Sequence, residues 1–148
     1  MPSQTRFKIR KGTRQDVAKL VALAGVLMPD EASHVQRTRA LGHSLVDPDY
    51  DILVAMVGSQ VTGFVDLWTL SDFVEGSNIS IIQNLVVEPR FRRLGIADAL
   101  MRRVLKLARR RGAREVHVST EMKNKKAFSL YRKHGFTKVY AFLEKSPA

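Results

Sequence analysis

Residues 83–97 read Gln-Asn-Leu-Val-Val-Glu-Pro-Arg-Phe-Arg-Arg-Leu-Gly-Ile-Ala, an apolar strand that passes through a proline turn into a helix start containing glycine. This junction is suited to holding a phosphate, because the first N–H groups of a helix are unpaired and the helix dipole adds partial positive charge. Gly95 and Ala97 contribute by their small size, since larger side chains would keep a phosphate from the backbone. By itself, this short string also fits an ordinary helix start.

A second motif lies further along the chain, where residues 124–136 read Asn-Lys-Lys-Ala-Phe-Ser-Leu-Tyr-Arg-Lys-His-Gly-Phe. Together the two segments resemble the GNAT superfamily of acetyl-CoA-dependent N-acetyltransferases, and the close resemblance covers about residues 79–145. The family's pyrophosphate pattern, Val-x-Pro-x-x-Arg-x-x-Gly-x-Gly/Ala, is matched at Val87, Pro89, Arg92, Gly95 and Ala97. Its downstream pattern, Asn-x-x-Ala-x-x-Leu-Tyr-x-Lys-x-Gly-Phe, is matched at Asn124, Ala127, Leu130, Tyr131, Lys133, Gly135 and Phe136.

The resemblance implies an α/β fold in a single domain spanning residues 1–148. Its mixed central sheet would have about six or seven strands, flanking helices and a splayed parallel pair at the centre. Acetyl-CoA would be the cosubstrate, with no metal. Its pyrophosphate would contact Arg92, Arg93, Leu94, Gly95, Ile96 and Ala97. Its pantetheine would pair with the backbone of Leu85, Val86 and Val87, where an N–H group would polarise the thioester carbonyl.

The downstream motif supplies the remaining candidate site residues. Tyr131 matches the position where the family commonly places a phenol near the cofactor sulfur, which implies a general acid for the departing thiolate. Phe128 is a candidate cofactor contact, although aromatic residues at helical spacing also serve simple packing. Asn124 precedes a predicted helix, so it either caps that helix or contacts pantetheine.

The general base is not identified by the sequence. Many relatives carry Glu on the strand before the pyrophosphate loop, whereas this chain has Gln83 and Asn84, which accept no proton at neutral pH. An amine must lose a proton before it attacks, so a carboxylate reached through water is a reasonable alternative. The candidates are Asp66, Asp72, Glu75 and Glu121, with His43 and His117 also available. The missing carboxylate also leaves open a CoA-binding or protein-interaction module without turnover.

Charge is distributed unevenly along the chain. Residues 1–89 carry a net charge of −2, residues 90–148 carry +13, and the whole chain carries +11. A basic second half suits an anionic ligand such as CoA, and a slightly acidic first half suits a cationic amine on a small molecule or a protein. The basic run at 102–114 is interpreted mainly as a solvated helix face. A nucleic-acid partner is disfavoured, because no recognition motif or aromatic stacking pattern accompanies the basic charge.

Composition excludes several kinds of site and of protein. The chain has no cysteine, so a disulfide framework, a zinc–thiolate site and a covalent thioester on the enzyme are excluded, and direct attack by the amine is expected. No apolar run approaches 18 residues, and the first ten lack a signal-peptide core. We therefore expect a cytoplasmic protein without a membrane span. Self-association through the sheet edge or the last strand stays open.

Hydrophobic periodicity outlines the elements. The predicted strands are 7–10, 52–57, 61–70, 79–87, 115–119 and a short last strand at 140–144. The predicted helices are about 13–27, 32–45 and 96–111, with another in the downstream motif. Residues 71–78 are predicted to form a loop. The strands at 79–87 and 115–119 flank a helix, so they are expected to be parallel neighbours.

Overall fold

Five strands form one mixed sheet in the computed structural model, which describes residues 6–148. They lie in chain order: β1 (Lys8–Lys11), β2 (Tyr50–Val57), β3 (Gln60–Asp72), β4 (Ser77–Val87) and β5 (Ala113–Val118). Neighbouring strands are antiparallel from β1 to β4, and β4 and β5 are parallel. The predicted mixed α/β sheet with a parallel pair is confirmed, with five strands rather than six or seven. The parallel pair lies at one edge of the described sheet and not at its centre, because no strand follows β5.

Helices cover both faces of the sheet. They are α1 (Val17–Leu27), α2 (His34–Leu45), α3 (Ile96–Arg110) and α4 (Lys125–Lys133). Because side chains alternate along a strand, β2 serves two cores. Tyr50, Ile52 and Val54 pack with Leu20 and Leu23 of α1. The alternate residues of β2 and β3 pack against α3, whose buried positions are Ile96, Leu100, Met101, Val104 and Ala108.

The basic run on α3 points to solvent, as the sequence indicates, with Arg102, Arg103 and Lys106 all exposed. Arg111 is the exception. Its guanidinium donates two hydrogen bonds, of 2.8 and 2.9 Å, to the carboxylate of Asp51, which is 5% exposed. The pair joins the end of α3 to β2, and it holds the pKa of Arg111 above its ordinary value.

The parallel pair separates part of the way along β4. Pairing with β5 runs from Asn78↔Ala113 to Ile82↔Val118 and then stops, while β4 continues to Val87. Within the described chain, the last five residues of β4 therefore have no strand partner on that side. This is the splay that the sequence predicts, and it leaves a row of backbone groups for a ligand.

Two element predictions are wrong. Half of the predicted loop at 71–78 belongs to strands, because β3 extends to Asp72 and β4 begins at Ser77, leaving a four-residue turn. The predicted strand at 140–144 does not form, and the described sheet ends at β5. After Phe136 the described chain is exposed to solvent and pairs with no strand.

Candidate functional site

The loop between β4 and α3 has an unusual backbone. Arg93 and Gly95 adopt φ angles of 64° and 84°, in the left-handed region that favours glycine. Arg92 Nε donates a hydrogen bond of 3.2 Å to the carbonyl oxygen of Val87, which closes the loop onto the end of β4. Left-handed residues in turns are a common element of the backbone concavities that bind anions.

The start of α3 completes this concavity. Its first intrahelical bond runs from the Ala99 N–H to the Gly95 carbonyl oxygen, so the amides of Ile96, Ala97 and Asp98 have no acceptor within the helix. A Cβ placed on Gly95 would meet no atom within 4 Å, so there is open space beside this residue. The predicted residues Ile96 and Ala97 thus present amides without a helical acceptor next to this space, an arrangement typical of anion sites.

Asp98 would oppose an anion at this helix end, but it is paired. Its carboxylate accepts a 2.8 Å hydrogen bond from His134 Nε2 and a 3.1 Å bond from Lys133 Nζ. The bond from His134, the strongest influence, and that from Lys133 hold the pKa of Asp98 below its ordinary value. Both partners lie at the end of α4. The contact therefore also ties the start of α3, next to the loop at 92–95, to the helix that carries Tyr131.

A pH prediction follows from this contact. Because its folded-state pKa is lowered, Asp98 stabilises the fold above its unfolded pKa of about 3.9, and this stabilisation is lost as pH falls through the folded pKa. We expect Asp98→Asn to lower the free energy of unfolding at pH 7 by about 1 kcal/mol. The difference should shrink towards pH 2 in urea titrations. Exposed Asp30 offers the control Asp30→Asn, and an equal loss there would contradict the assigned contact.

The predicted pantetheine segment lies along the splay. The Val86 side chain is buried in the core that packs on α1, whereas the side chains of Leu85 and Val87 pack in the core on the α3 side. Their side chains thus serve the core while their backbone lies on the stretch of β4 that β5 does not cover. Core packing by the side chains therefore leaves the backbone of this segment without a strand partner on that side.

The structure also locates the α4 residues. Asn124 Oδ1 accepts a hydrogen bond of 3.1 Å from the Ala127 N–H, so Asn124 caps the helix. The Tyr131 ring meets Phe136 edge-on, with centroids 5.8 Å apart, and packs on the same cluster as Leu85 and Val87. Burial raises the pKa of Tyr131, which keeps the phenol protonated at neutral pH. Phe128 is half-buried beneath the Arg132 guanidinium.

A cleft of about 340 Å³ opens on the opposite face of the sheet, between α1, α2 and the middle of β3 and β4. Its walls are mainly apolar, and include Leu20, Ala24, Leu41, Ile52 and Phe64. Its polar residues include Tyr50, Asp66, Gln83 and Asn84. Glu31 and Arg37, from the chain around α2, add charged groups to its lining.

Asp66 is the buried carboxylate of this cleft, with 5% exposure. It accepts 2.7 and 2.8 Å hydrogen bonds from the Tyr50 hydroxyl and the Asn84 N–H, and further bonds from the Asn84 side chain. The strand register shifts here, so that Gln83 and Asn84 both face Asp66 in a β-bulge. Burial outweighs these bonds and raises the pKa of Asp66. Burial, reinforced by the nearby carboxylate, likewise raises the pKa of Tyr50.

The other base candidates lie elsewhere. Asp72 and Glu75 are at the turn between β3 and β4, outside the cleft. The exposed Glu121 pairs with Lys123. The two histidines are also exposed, and His117 pairs with Glu115. Sequence reasoning included Asp66 but missed Tyr50, whose position depends on the β2–β3 register that places Ile52 opposite Asp66.

Helix α3, with the loop that precedes it, and the cleft with Asp66 thus lie on opposite faces of one splayed sheet. The sequence profile of the Acetyltransferase (GNAT) family matches residues 18–136. The chain belongs to this family.

Individual proteins agree with this assignment. The chain is 26% identical over 129 residues to an aminoalkylphosphonate N-acetyltransferase of Salmonella typhimurium, covering 87% of this chain and 84% of that protein. It is 30% identical over 140 residues to the uncharacterised N-acetyltransferase YhfO of Bacillus subtilis, covering 93% and 94%. Aminoglycoside N-acetyltransferase AAC(6')-Iy in complex with CoA superposes with a TM-score of 0.87 at 20% identity, covering 100% and 99%, which shows the fold.

Between residues 6 and 148, no helix combines the length and apolar character needed to cross a membrane. The same stretch contains no group of three or more His, Cys, Asp or Glu side chains arranged to hold a metal ion.

Proposed function

We propose that the protein transfers the acetyl group of acetyl-CoA to a primary amine by direct attack of the amine nitrogen. The observation that carries the proposal is the bulge at Gln83 and Asn84. One face of this part of β4 borders the cleft with Asp66. The same strand leads into the loop before α3, which we propose binds the pyrophosphate. A donor held along the splay and an acceptor held in the cleft would therefore meet at β4.

Residues 92–97 are proposed to hold the pyrophosphate through the amides at the start of α3, and Arg92 and Arg93 would add positive charge. The backbone of Leu85, Val86 and Val87 would hold the pantetheine arm. An N–H group in this segment would stabilise negative charge as it develops on the thioester carbonyl oxygen. Acetyl-CoA supplies the activated acetyl group when bound.

Tyr131 is proposed as the general acid. Its half-buried phenol packs on the cluster that includes Leu85 and Val87, next to the proposed thioester site. Because burial raises its pKa, the phenol keeps the proton that the departing thiolate requires. Asn124 and Phe128 would border the pantetheine arm. The side-chain oxygen of Asn124 caps α4, and its side-chain N–H₂ group would contact the arm.

Asp66 is proposed as the proton acceptor, directly or through one water. Among the four carboxylates considered, it alone lines the cleft. A raised pKa makes the Asp66 carboxylate a better base than an exposed aspartate, which favours this assignment. Asp66 would thus supply, from β3, the carboxylate that many relatives carry on β4. Hydrogen bonds from Tyr50 and Asn84 would fix its orientation.

The acceptor is proposed to be a small molecule with a primary amine. A cleft of about 340 Å³ lies near the lower end of the size range of ligand pockets, about 300–1,000 Å³. The Salmonella relative and the structural neighbour are named for small amine-bearing substrates, which supports the same class. A protein amine is the alternative, and it would have to enter as a single side chain.

The test is release of free thiol from acetyl-CoA in the presence of a panel of small primary amines and a lysine peptide. We expect amine-dependent thiol release, and about a 100-fold lower kcat in Asp66→Asn. The matched control is Asp72→Asn, on the same strand but outside the cleft, which should keep full activity. Cofactor binding without thiol release on any amine would favour the non-catalytic module, and equal activity of the two variants would overturn the role of Asp66.

A further inference from the structure

Arg37 is a cation on the wall of the cleft, and the proposed chemistry gives it no role. It lies on α2 and shares one face of that helix with Ala40, Leu41 and Ser44, which line the cleft with it at helical spacing. Asp66 lines the cleft from the sheet, since it belongs to β3. A ligand lying between α2 and the sheet would therefore border a guanidinium on the helical wall and a carboxylate on the sheet.

The Arg37 side chain is partly buried and keeps most of its hydrogen-bonding capacity. Its Nη2 donates a hydrogen bond to the Met28 carbonyl oxygen at the end of α1, where a cation also suits the helix dipole. A guanidinium has five N–H donors, so this bond leaves about four for other partners. Within residues 6–148, Arg37 forms no ion pair with a carboxylate.

Two arginines elsewhere in the fold show the contact that Arg37 lacks. Arg10 donates two hydrogen bonds of 2.8 Å to the buried carboxylate of Asp16. Arg111 does the same to Asp51, at 2.8 and 2.9 Å. Arg37 has the same planar fork and the same charge, so a carboxylate or phosphate group of a ligand in the cleft would form an equivalent pair.

Glu31 is the competing charged group of the cleft. It lines the cleft as well, and it forms no ion pair with a cation of the described chain. It would suit an acceptor with a second ammonium group, such as a diamine. Glu31 is exposed whereas Arg37 is partly buried, and a partly buried charge is screened less by water and salt. The cleft therefore favours an anionic group over a second cation.

We propose that the acetyl acceptor carries a carboxylate or phosphate group at the end remote from its amine, and that Arg37 binds this oxyanion. The inference rests on the proposed function, since Asp66 is there taken to receive the amine end. Such an acceptor is a zwitterion, whose ammonium group is attracted to Asp66 and whose oxyanion is attracted to Arg37. Arg37 would then determine specificity without taking part in proton transfer.

The test compares primary amines that differ only at the remote end. The carboxylate series is β-alanine, the corresponding amino alcohol and the corresponding diamine, and the phosphate pair is ethanolamine and its phosphate ester. We expect kcat/KM of the wild type, measured by thiol release from acetyl-CoA, to favour an anionic member over its neutral analogue by about 10- to 100-fold. The series with the larger ratio identifies the oxyanion.

Three variants assign this preference to Arg37. Arg37→Gln should lose it, and Arg37→Lys should keep part of it, because lysine retains the charge without the planar fork. The matched control Arg39→Gln removes the same charge from an exposed position of α2 outside the cleft lining, and should keep the full preference. Loss of the Met28 contact in Arg37→Gln would lower activity on all amines alike, so only the ratio between acceptors reports on the oxyanion. Equal rates on anionic and neutral amines, a preference for the diamine, or an unchanged ratio in Arg37→Gln would overturn the proposal.

A binding measurement separates this inference from the proposed activity. The anionic amines, in millimolar concentration and without acetyl-CoA, should raise the melting temperature of the wild type and of Arg39→Gln more than that of Arg37→Gln. This difference without thiol release on any amine would contradict acetyl transfer and support the oxyanion site. Thiol release that shows no dependence on Arg37 would contradict the oxyanion site alone, and equal shifts in all three proteins would also overturn it.

Discussion

The variant Gly95→Glu should bind no acetyl-CoA. At a φ angle of 84°, Gly95 lies where a side chain is strained, and the space in front of it is where we propose the pyrophosphate sits. A glutamate there would add bulk and negative charge against the phosphates. Ligand at about 100 times its dissociation constant should stabilise the wild type by about 2.7 kcal/mol, and this stabilisation should vanish in the variant.

The matched control for this change is Gly76→Glu. Gly76 also has a positive φ angle, 63°, and open space around its Cβ position, but it lies in the turn between β3 and β4. Both variants carry the same strain and the same added charge, so both should lower the ligand-free melting temperature modestly. Only Gly95→Glu should lose the response to acetyl-CoA. An unchanged response in Gly95→Glu would contradict the placement of the pyrophosphate.

The variant Tyr131→Phe should bind acetyl-CoA normally and turn over about 10²–10⁴ times more slowly. Phenylalanine keeps the packing against Phe136 and removes only the hydroxyl, so the fold and the cofactor contact are retained. The loss should appear in kcat rather than in KM, because the proton is needed in the transition state.

The control for Tyr131→Phe is Tyr140→Phe, which removes the hydroxyl of an exposed tyrosine outside the proposed site. Its kcat should match the wild type. Full activity of Tyr131→Phe, equal to that of the control, would mean that the CoA thiolate leaves without an acid from this position and would rule out Tyr131 as the general acid.

The loop and helix start that we propose hold the cofactor could be predicted from sequence because their determinants are local. The start of α3 at Ile96 and the left-handed glycine at 95 depend on a few consecutive residues, and a two-motif pattern specifies them. The parallel neighbours also followed, since a helix between two strands permits few other arrangements.

The acceptor half could not be predicted to the same extent, because its contacts join distant residues. Tyr50 and Asp66 are 16 positions apart, and they meet only because of the hairpin register and the bulge at Gln83 and Asn84. The sequence offered four carboxylates with no means of ranking them by burial. Arg111 was likewise grouped with the solvated basic run, although it pairs with Asp51, 60 positions away.

The tail shows a different limit. Its apolar and aromatic residues at 140–144 predict a strand, but no strand forms there. A strand also needs a neighbouring edge to pair with, and residues 137–148 are exposed and pair with no strand of the described chain. Pattern alone therefore gives strand propensity and does not tell whether an edge is available.

The most direct test of the central claim is the melting temperature of the unmodified chain with and without acetyl-CoA. The loop at 92–97 and the splay beside it are proposed to bind this ligand, and saturation at about 100 times the dissociation constant should raise the melting temperature by about 5–10 °C. Free CoA should give a shift of similar size, because it keeps the pyrophosphate. An unchanged melting temperature in millimolar acetyl-CoA would contradict the account.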